Sequence, residues 1–204
     1  MGKVIVFAQQ KGGSGKTTVL AHLSRSLTDH GRSVQLVDLD PQRSLSQWAS
    51  LVTDPPMECV ESKAWRAGSD IGEAAAGHDL VLVDCPGHAS PLLEAALRCA
   101  DLVIVPCQPT GLDVRATSSV LEMAEKEGTG ARVLLNRVPP RGRRAERCAD
   151  DLRRSGARLL SSRLGNRVAY SSVFLDDTPA RLKPGTKAFW EIEALREEIE
   201  DITS

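Results

Sequence analysis

The sequence predicts an α/β fold in which a mostly parallel, twisted sheet is flanked by helices on both faces. Three observations predict it. Short apolar runs alternate with helical patterns along the chain, the order that strand–helix–strand units produce. One run, Leu80-Val81-Leu82-Val83, is apolar at every position, as a strand buried on both faces must be. A glycine-rich loop, Gln10 to Thr18, follows an apolar run and precedes an amphipathic pattern, and parallel sheets place their ligands at such strand ends.

Taken in order, strands are expected at Lys3–Ala8, Ser33–Asp38, Asp79–Asp84, Leu102–Pro106 and Ala131–Asn136. Helices are expected between them, at Thr17–His30, Ser44–Leu51, Ile71–Ala76, Pro91–Cys99 and Leu112–Glu127. Pro139-Pro140-Arg141-Gly142 is the clearest loop. A last helix runs from Lys187 to Ile202, with Phe189, Ile192, Leu195, Ile199 and Ile202 on one stripe. At 204 residues the chain is expected to form a single domain, 1–204. Aromatics are 3% against 41% hydrophobic residues overall, so the core must rest on Ala, Val and Leu. No apolar stretch approaches the ~20 residues that cross a bilayer, and the first strand starts too early for a signal peptide to precede it. Five cysteines are scattered without a C-x-x-C pair, which argues against a zinc ribbon or disulfide framework and fits a reducing cytosol.

The loop reads Q-K-G-G-S-G-K-T-T. Gly12, Gly13 and Gly15 let the backbone turn tightly and bring its N–H groups against phosphate oxygens. A helix starting near Lys16 adds its positive N-terminal end. Lys16 would reach the β- and γ-phosphates and the Thr17 hydroxyl would bind Mg²⁺, which makes the chain a P-loop NTPase. The usual first glycine is replaced by Gln10, and a second lysine, Lys11, sits five residues before Lys16. The string Lys11-Gly12-Gly13-Ser14-Gly15-Lys16-Thr17-Thr18 resembles the deviant Walker A box of the ParA/MinD family of ATPases. The resemblance implies that these eight residues hold ATP. It also implies that Lys11 crosses a dimer interface to the partner's phosphates, where a solvated loop lysine is the plainer alternative.

The other motifs fall at strand ends. Leu36-Val37-Asp38-Leu39-Asp40-Pro41-Gln42 places two carboxylates just past a strand expected beside the loop's own strand. The string is similar to the family's switch I element, which implies that Asp40 positions the attacking water and that Asp38 supports Lys16 or the Mg²⁺ shell. Asp84 ends an apolar strand in the Walker B manner and would hold a water on Mg²⁺. Gly87 and His88 follow at switch II, with His88 more simply a surface histidine than a general base. Cys107-Gln108-Pro109-Thr110-Gly111-Leu112-Asp113 resembles a family stretch that leads into a dimer-face helix. Asn136 and Arg137 stand where the family uses such a pair against adenine, with structural capping the alternative.

Net charge is −1, but Arg137 to Arg167 holds ten arginines against Glu146, Asp150 and Asp151, a local charge near +7 that leaves about −8 elsewhere. Arginine suits phosphate, and contact with a DNA backbone is sequence-independent. The segment Leu164 to Tyr170 resembles the one where ParA proteins carry a DNA-contacting arginine, which implies Arg167 first and Arg163 second. A membrane-anchoring helix wants Lys and Arg on its polar face, whereas the last helix is acidic and is expected to pack on the sheet.

Together the resemblance implies a small ParA-type (ParF-like) partition or positioning ATPase without an N-terminal helix-turn-helix domain. Its catalytic residues would be Lys11, Lys16 and Asp40, and its metal residues Thr17, Asp38 and Asp84. It implies ATP and Mg²⁺ as ligands, an ATP-dependent homodimer, nonspecific DNA binding, a ParB-like or cargo-adaptor partner that stimulates slow hydrolysis, and a cytoplasmic, nucleoid-associated protein with no membrane contact. The alternatives are a MinD-like membrane-cycling regulator, a filament-forming partition protein, a metal-cluster carrier using Cys85 or Cys99, and a small-molecule ligase or kinase.

Overall fold

The structure, a computed structural model, describes residues 1–53, 56–63, 65–174 and 180–204. The described residues form seven strands: β1 (Lys3–Phe7), β2 (Val34–Asp38), β3 (Cys59–Glu61), β4 (Leu80–Asp84), β5 (Leu102–Cys107), β6 (Ala131–Val138) and β7 (Leu159–Gly165). They form one sheet in the order β3-β2-β4-β1-β5-β6-β7, and every pairing is parallel. The helices are α1 (Lys16–Asp29), α2 (Ser44–Leu51), α3 (Ala67–Gly77), α4 (Pro91–Cys99), α5 (Gly111–Lys126), α6 (Arg144–Arg154), α7 (Val168–Ser171) and α8 (Lys187–Thr203).

The period of two along each strand sends alternate side chains to opposite faces. Ile5 and Phe7 join Leu20, Leu36, Trp48 and Leu195 in one core under α1, α2 and α8. Val4 and Val6 join Val37, Ile71, Leu93 and Leu152 in the other, under α3, α4, α5 and α6. This is the doubly covered parallel sheet of the P-loop NTPases, as the alternating pattern predicts. Three long helices start on a side-chain cap that meets an orphan amide. Ser90 accepts from the Leu93 amide at 3.3 Å, Thr110 from Asp113 at 3.2 Å and Thr186 from Phe189 at 3.3 Å. α1 instead begins on Gly15 in the left-handed region, with no side-chain cap.

One expectation is corrected. β2 is not a neighbour of β1: it pairs with β4, which lies between them, so Asp38, Asp84 and Phe7 stand side by side. β4 is wholly buried and apolar up to Asp84, which suits the inner place, whereas β2 carries Gln35 and opens on a half-buried Val34. Four elements carry no local signal strong enough to be read. β3 is three residues long, and α7 is four. α6 buries only Ala145, Cys148, Ala149 and Leu152, an apolar face hidden among arginines. β7 interleaves Leu160 and Leu164 with serines and an arginine.

α8 packs against β7 and α1 as expected, burying Ile192, Leu195 and Ile199. Its acids are turned to use. Ser26 Oγ donates to Glu193 Oε1 at 2.6 Å, Arg32 Nε to Glu200 Oε1 at 2.6 Å, and the Ser161 amide to Glu198 at 2.6 Å. Among the described residues no helix is long and apolar enough to cross a membrane. Leu195 is fully buried in this layer, so Leu195→Ala should lower stability by about 2–5 kcal/mol, read as a fall in the urea midpoint at unchanged slope.

Candidate nucleotide site

The glycine loop leaves β1 at the carboxyl edge of the sheet and feeds α1. Gly13 (φ 76°) and Gly15 (φ 92°) occupy the left-handed region, which costs an L side chain strain that glycine avoids. The loop is held from three sides. Gln108 Nε2 donates to the Gly13 carbonyl at 2.7 Å, and Asn136 Nδ2 donates to the Ser14 carbonyl at 2.8 Å. Lys11 Nζ donates to Asp113 Oδ2 at 2.5 Å, where the Thr110 hydroxyl also donates. A cavity of about 530 Å³ opens along the loop, lined by Gly12 to Thr18 except Ser14, and bounded by Asp40, Gly87, His88 and Arg137. Lys16, nearly buried, extends along it to the Gly87 backbone. Loop amides, a helix N-terminus and a lysine in one concave site can hold a polyphosphate.

The three acids of the strand ends have separate surroundings. Thr17 Oγ1 donates to Asp84 Oδ2 at 2.5 Å, while Asp84 Oδ1 is buried with no hydrogen-bond partner among the described residues. Burial pushes the Asp84 carboxyl up to about 7; the Thr17 hydrogen bond and Lys16 oppose this, and the charges of Asp38 and Asp40 add to it. Asp38 is also raised by burial, against three hydrogen bonds that favour its charge. Those bonds are local: the Asp40 amide at 3.0 Å, and the Ser46 amide and hydroxyl, each at 2.9 Å. Asp38 therefore tethers the turn into α2, a role its sequence position does not suggest. Asp40 is half-buried, accepts from the Gln42 amide at 3.0 Å and faces the phosphate cavity. A Mg²⁺ ion that takes most of its ligands from water and phosphate fits this set. The donors are hard oxygens, Asp84 Oδ1 has an unmet lone pair, and a cation would favour the ionised carboxylate. Among the described residues no cluster of three His, Cys, Asp or Glu groups could hold a metal alone. Cys85 is fully buried and its thiol pushed up by burial, so it presents no bridging ligand at the surface.

Beyond the loop a second cavity, about 500 Å³, shares Gly15, Thr18 and Arg137 with the first and continues past Asn136 to Arg167 and Tyr170. Its size suits the base and sugar of a nucleotide. Asn136 is 4% exposed and spends both ends of its amide within the chain: Nδ2 on Ser14, Oδ1 on the Arg137 amide at 2.8 Å. It stands as a clamp on the loop, the capping alternative, and Arg137 (φ 51°) is the exposed member of the pair. Arg167 and Arg163 lie here and on β7, and both are engaged. Arg167 pairs with Glu191, which also takes the Gly165 amide at 3.0 Å and the Tyr170 hydroxyl at 2.7 Å. Arg163 pairs with Glu146 at 2.9 Å. Burial acts to raise the Glu191 carboxyl, but the Arg167, Gly165 and Tyr170 hydrogen bonds hold it below the ordinary glutamate range. Sequence reading overlooks Gln108, Asp113, Ser46 and Glu191 as positioning groups. Only the string around Gln108 and Asp113 carries any signal, and it does not name their partners.

Residues 5–179 match the family described as the CobQ/CobB/MinD/ParA nucleotide binding domain. The chain is 30% identical over 185 residues to maintenance of carboxysome distribution protein A of Halothiobacillus neapolitanus, covering 84% of this chain and 83% of that one. It is 33% identical over 183 residues to a protein ParA of Rhizobium radiobacter, covering 84% and 82%. The cell division ATPase MinD of Pyrococcus furiosus superposes with a TM-score of 0.83 at 25% identity, covering 99% of this chain and 100% of that one.

Two predictions follow from the geometry. A Cβ at Gly15 would lie 2.5 Å from Asn136 Nδ2 at a φ of +92°, so Gly15→Ala should weaken nucleotide binding by about tenfold or more, since strain of 1–2 kcal/mol is at stake. At Gly87 the nearest atom is Lys16 Nζ at 3.8 Å, an ordinary contact, and Gly87→Ala should bind nearly as wild type in the same fluorescence titration. Glu191→Gln should destabilise the protein at neutral pH. A carboxyl whose folded pKa is depressed contributes stability above its unfolded value, near 4.3, and loses it as pH falls through the folded pKa. Urea titrations from pH 7 downward should therefore show the gap between variant and wild type closing in acid.

Proposed function

This chain belongs to the CobQ/CobB/MinD/ParA nucleotide-binding family, and on that premise we propose that it is a ParA-type ATPase. In this reading ATP drives it into a sandwich dimer, the dimer binds DNA without sequence preference, and hydrolysis resets the cycle that partitions or positions a cargo. The observation that carries the reading is the second loop lysine. Lys11 directly precedes Gly12, which lines the phosphate cavity, and is about one-third exposed, with Asp113 at the start of α5 as its partner. A partly exposed second lysine next to the phosphate loop supports a contact with the phosphates of a second copy.

The chemistry falls to this chain's residues as follows. The amides of Gly12 to Thr17 and the Lys16 ammonium bind and orient the triphosphate. Thr17 and Asp84 would hold Mg²⁺ with its waters, and the ion would supply neutralisation of charge on the phosphate oxygens. Asp40 accepts a hydrogen bond from a water and aims its oxygen at the γ-phosphorus. The water oxygen forms the new bond to the γ-phosphorus as the bond from that phosphorus to the β,γ-bridging oxygen breaks; the electron pair leaves on ADP, and the water's proton passes to the departing phosphate. Lys11 gives up Asp113 and reaches the partner's phosphates, a charge-assisted contact that is stronger with ATP than with ADP. Two phosphate-binding faces in one dimer add their contacts, so DNA affinity rises with ATP. A ParB-like or cargo-adaptor protein stimulates the slow hydrolysis.

The test is binding to random-sequence duplex DNA with ATP, ADP or no nucleotide, at two salt concentrations. Tight, salt-sensitive binding with ATP alone is expected. Lys11→Ala should abolish it together with the ATP-dependent dimer. Asp40→Ala should keep ATP-dependent DNA binding while losing hydrolysis. Absence of DNA binding in every nucleotide state, with ATP hydrolysis intact, would overturn the reading.

A further inference from the structure

Nine of the ten arginines between positions 137 and 167 fall into two groups once the fold is known; the tenth, Arg158, is exposed in the connection that leads from α6 into β7, outside both groups. Four are neutralised: Arg153 by Asp150 at 3.2 Å, Arg154 by Asp151 at 2.5 Å, Arg163 by Glu146 at 2.9 Å, and Arg167 by Glu191. Arg137, Arg141, Arg143, Arg144 and Arg147 are exposed, and none forms an ion pair with a described residue. These five run along the β6–α6 connection and the first turn of α6.

The arrangement is electrostatically costly in isolation. A helix N-terminus carries partial positive charge and prefers an acid there. α6 begins with Arg143 as its cap residue, has no side-chain cap, and places Arg144 at its first position. Its one first-turn acid, Glu146, is committed to Arg163. Across from it, Arg115 of α5 completes a cleft of about 490 Å³ with Arg144, Arg147 and Thr110; the one acid lining the cleft, Asp151, is paired with Arg154. Pro139 and Pro140 restrict the connection, so ordering it on a ligand costs less entropy.

We propose that this arginine arm, from Arg137 to Arg147 with Arg115 opposite, is the polyanion-binding face of the protein, and that its ligand is the sugar-phosphate backbone of duplex DNA. The inference rests on the DNA reading above and moves its contact surface from the β7–α7 arginines to the β6–α6 arm. Guanidinium groups match phosphate bidentately, and a row of them suits a repeating phosphate ligand. A protein partner calls for apolar or aromatic anchors at the centre of its interface. Among the described residues from 113 to 167 none is an exposed large hydrophobic, and Leu112, which adjoins the cleft in sequence, is a single exposed leucine and not an apolar patch. The arm stands at the same carboxyl edge of the sheet as the phosphate cavity, which Arg137 also lines, so a change at the nucleotide lies within reach of it.

The experiment compares wild type, the triple variant Arg141→Glu/Arg144→Glu/Arg147→Glu and the double variant Arg163→Ala/Arg167→Ala. Anisotropy is read with a labelled random-sequence duplex in ATP over a salt series, with polyglutamate as a competing probe. The triple variant should lose DNA binding, and a milder Arg144→Ala/Arg147→Ala variant should lower the slope of log affinity against log salt by roughly 2 per protomer. Circular dichroism and basal ATP hydrolysis should be unchanged, because none of these three side chains lines the phosphate cavity. The double variant should keep most of its DNA binding. If wild type binds no DNA in any state, the functional reading itself fails. If wild type and the triple variant bind alike, or the double variant alone loses binding, the arm is overturned. If polyglutamate displaces DNA at equal charge concentration, the ligand is an acidic chain and the DNA assignment is overturned.

Discussion

A loop that turns on Gly12, Gly13 and Gly15 has little conformational preference of its own, so its shape must be imposed from outside. Two strand ends and a helix start impose it. Gln108 after β5 and Asn136 within β6 take the carbonyls of Gly13 and Ser14, and Asp113 at the start of α5 takes the Lys11 ammonium. Each bond fixes a loop carbonyl or side chain on a neighbouring element. Gly15 has room only because its own Cβ is missing, with Asn136 packed where one would stand. The rest of the site depends on that clamp: α1 starts where the loop ends, Lys16 and Thr17 ride on its first turn, and Thr17 meets Asp84 from the neighbouring strand.

Charge is distributed by the same logic. Asp84 sits fully buried at the centre, where burial opposes ionisation and a cation would favour it. Asp38, one strand further out, is consumed by the turn into α2, and Asp40, two residues on, faces the cavity. Acids so close together can be accommodated because each answers to different partners: a hydroxyl, a helix start, and open space over the phosphate loop. The arginines of the β6 to α7 segment are sorted likewise. Those on β7 and α7 are matched by Glu146 and Glu191, and those before α6 are left to solvent.

The burial of α8 is the structural counterpart of its composition. Its acids are bound to Ser26, Arg32 and the β7 amides, and its apolar stripe faces α1 and β7. The helix closes the sheet beside the second cavity through Glu191, which ties the β7 end and Tyr170 together. The wall of that cavity therefore depends on one carboxylate contributed by the last helix of the chain.

What the sequence by itself determined is whatever a local pattern encodes: the alternation of strand and helix, the glycine loop and its two lysines, the apolar run that delivers Asp84, and the stripe of α8. These depend on residues adjacent in the chain or one turn apart, so period and turn chemistry suffice to read them. Only the tertiary structure decided that β4 separates β2 from β1, that Lys11 rests on Asp113, that Asn136 grips the loop, and that Arg167 is spent on Glu191. Those contacts join residues 102, 122 and 24 positions apart in the last three cases. They are set by the order in which strands enter the sheet, and a one-dimensional pattern carries no record of that order. For the same reason ten arginines read as one basic stretch become, once folded, four matched, five bare along one edge, and Arg158 set apart before β7.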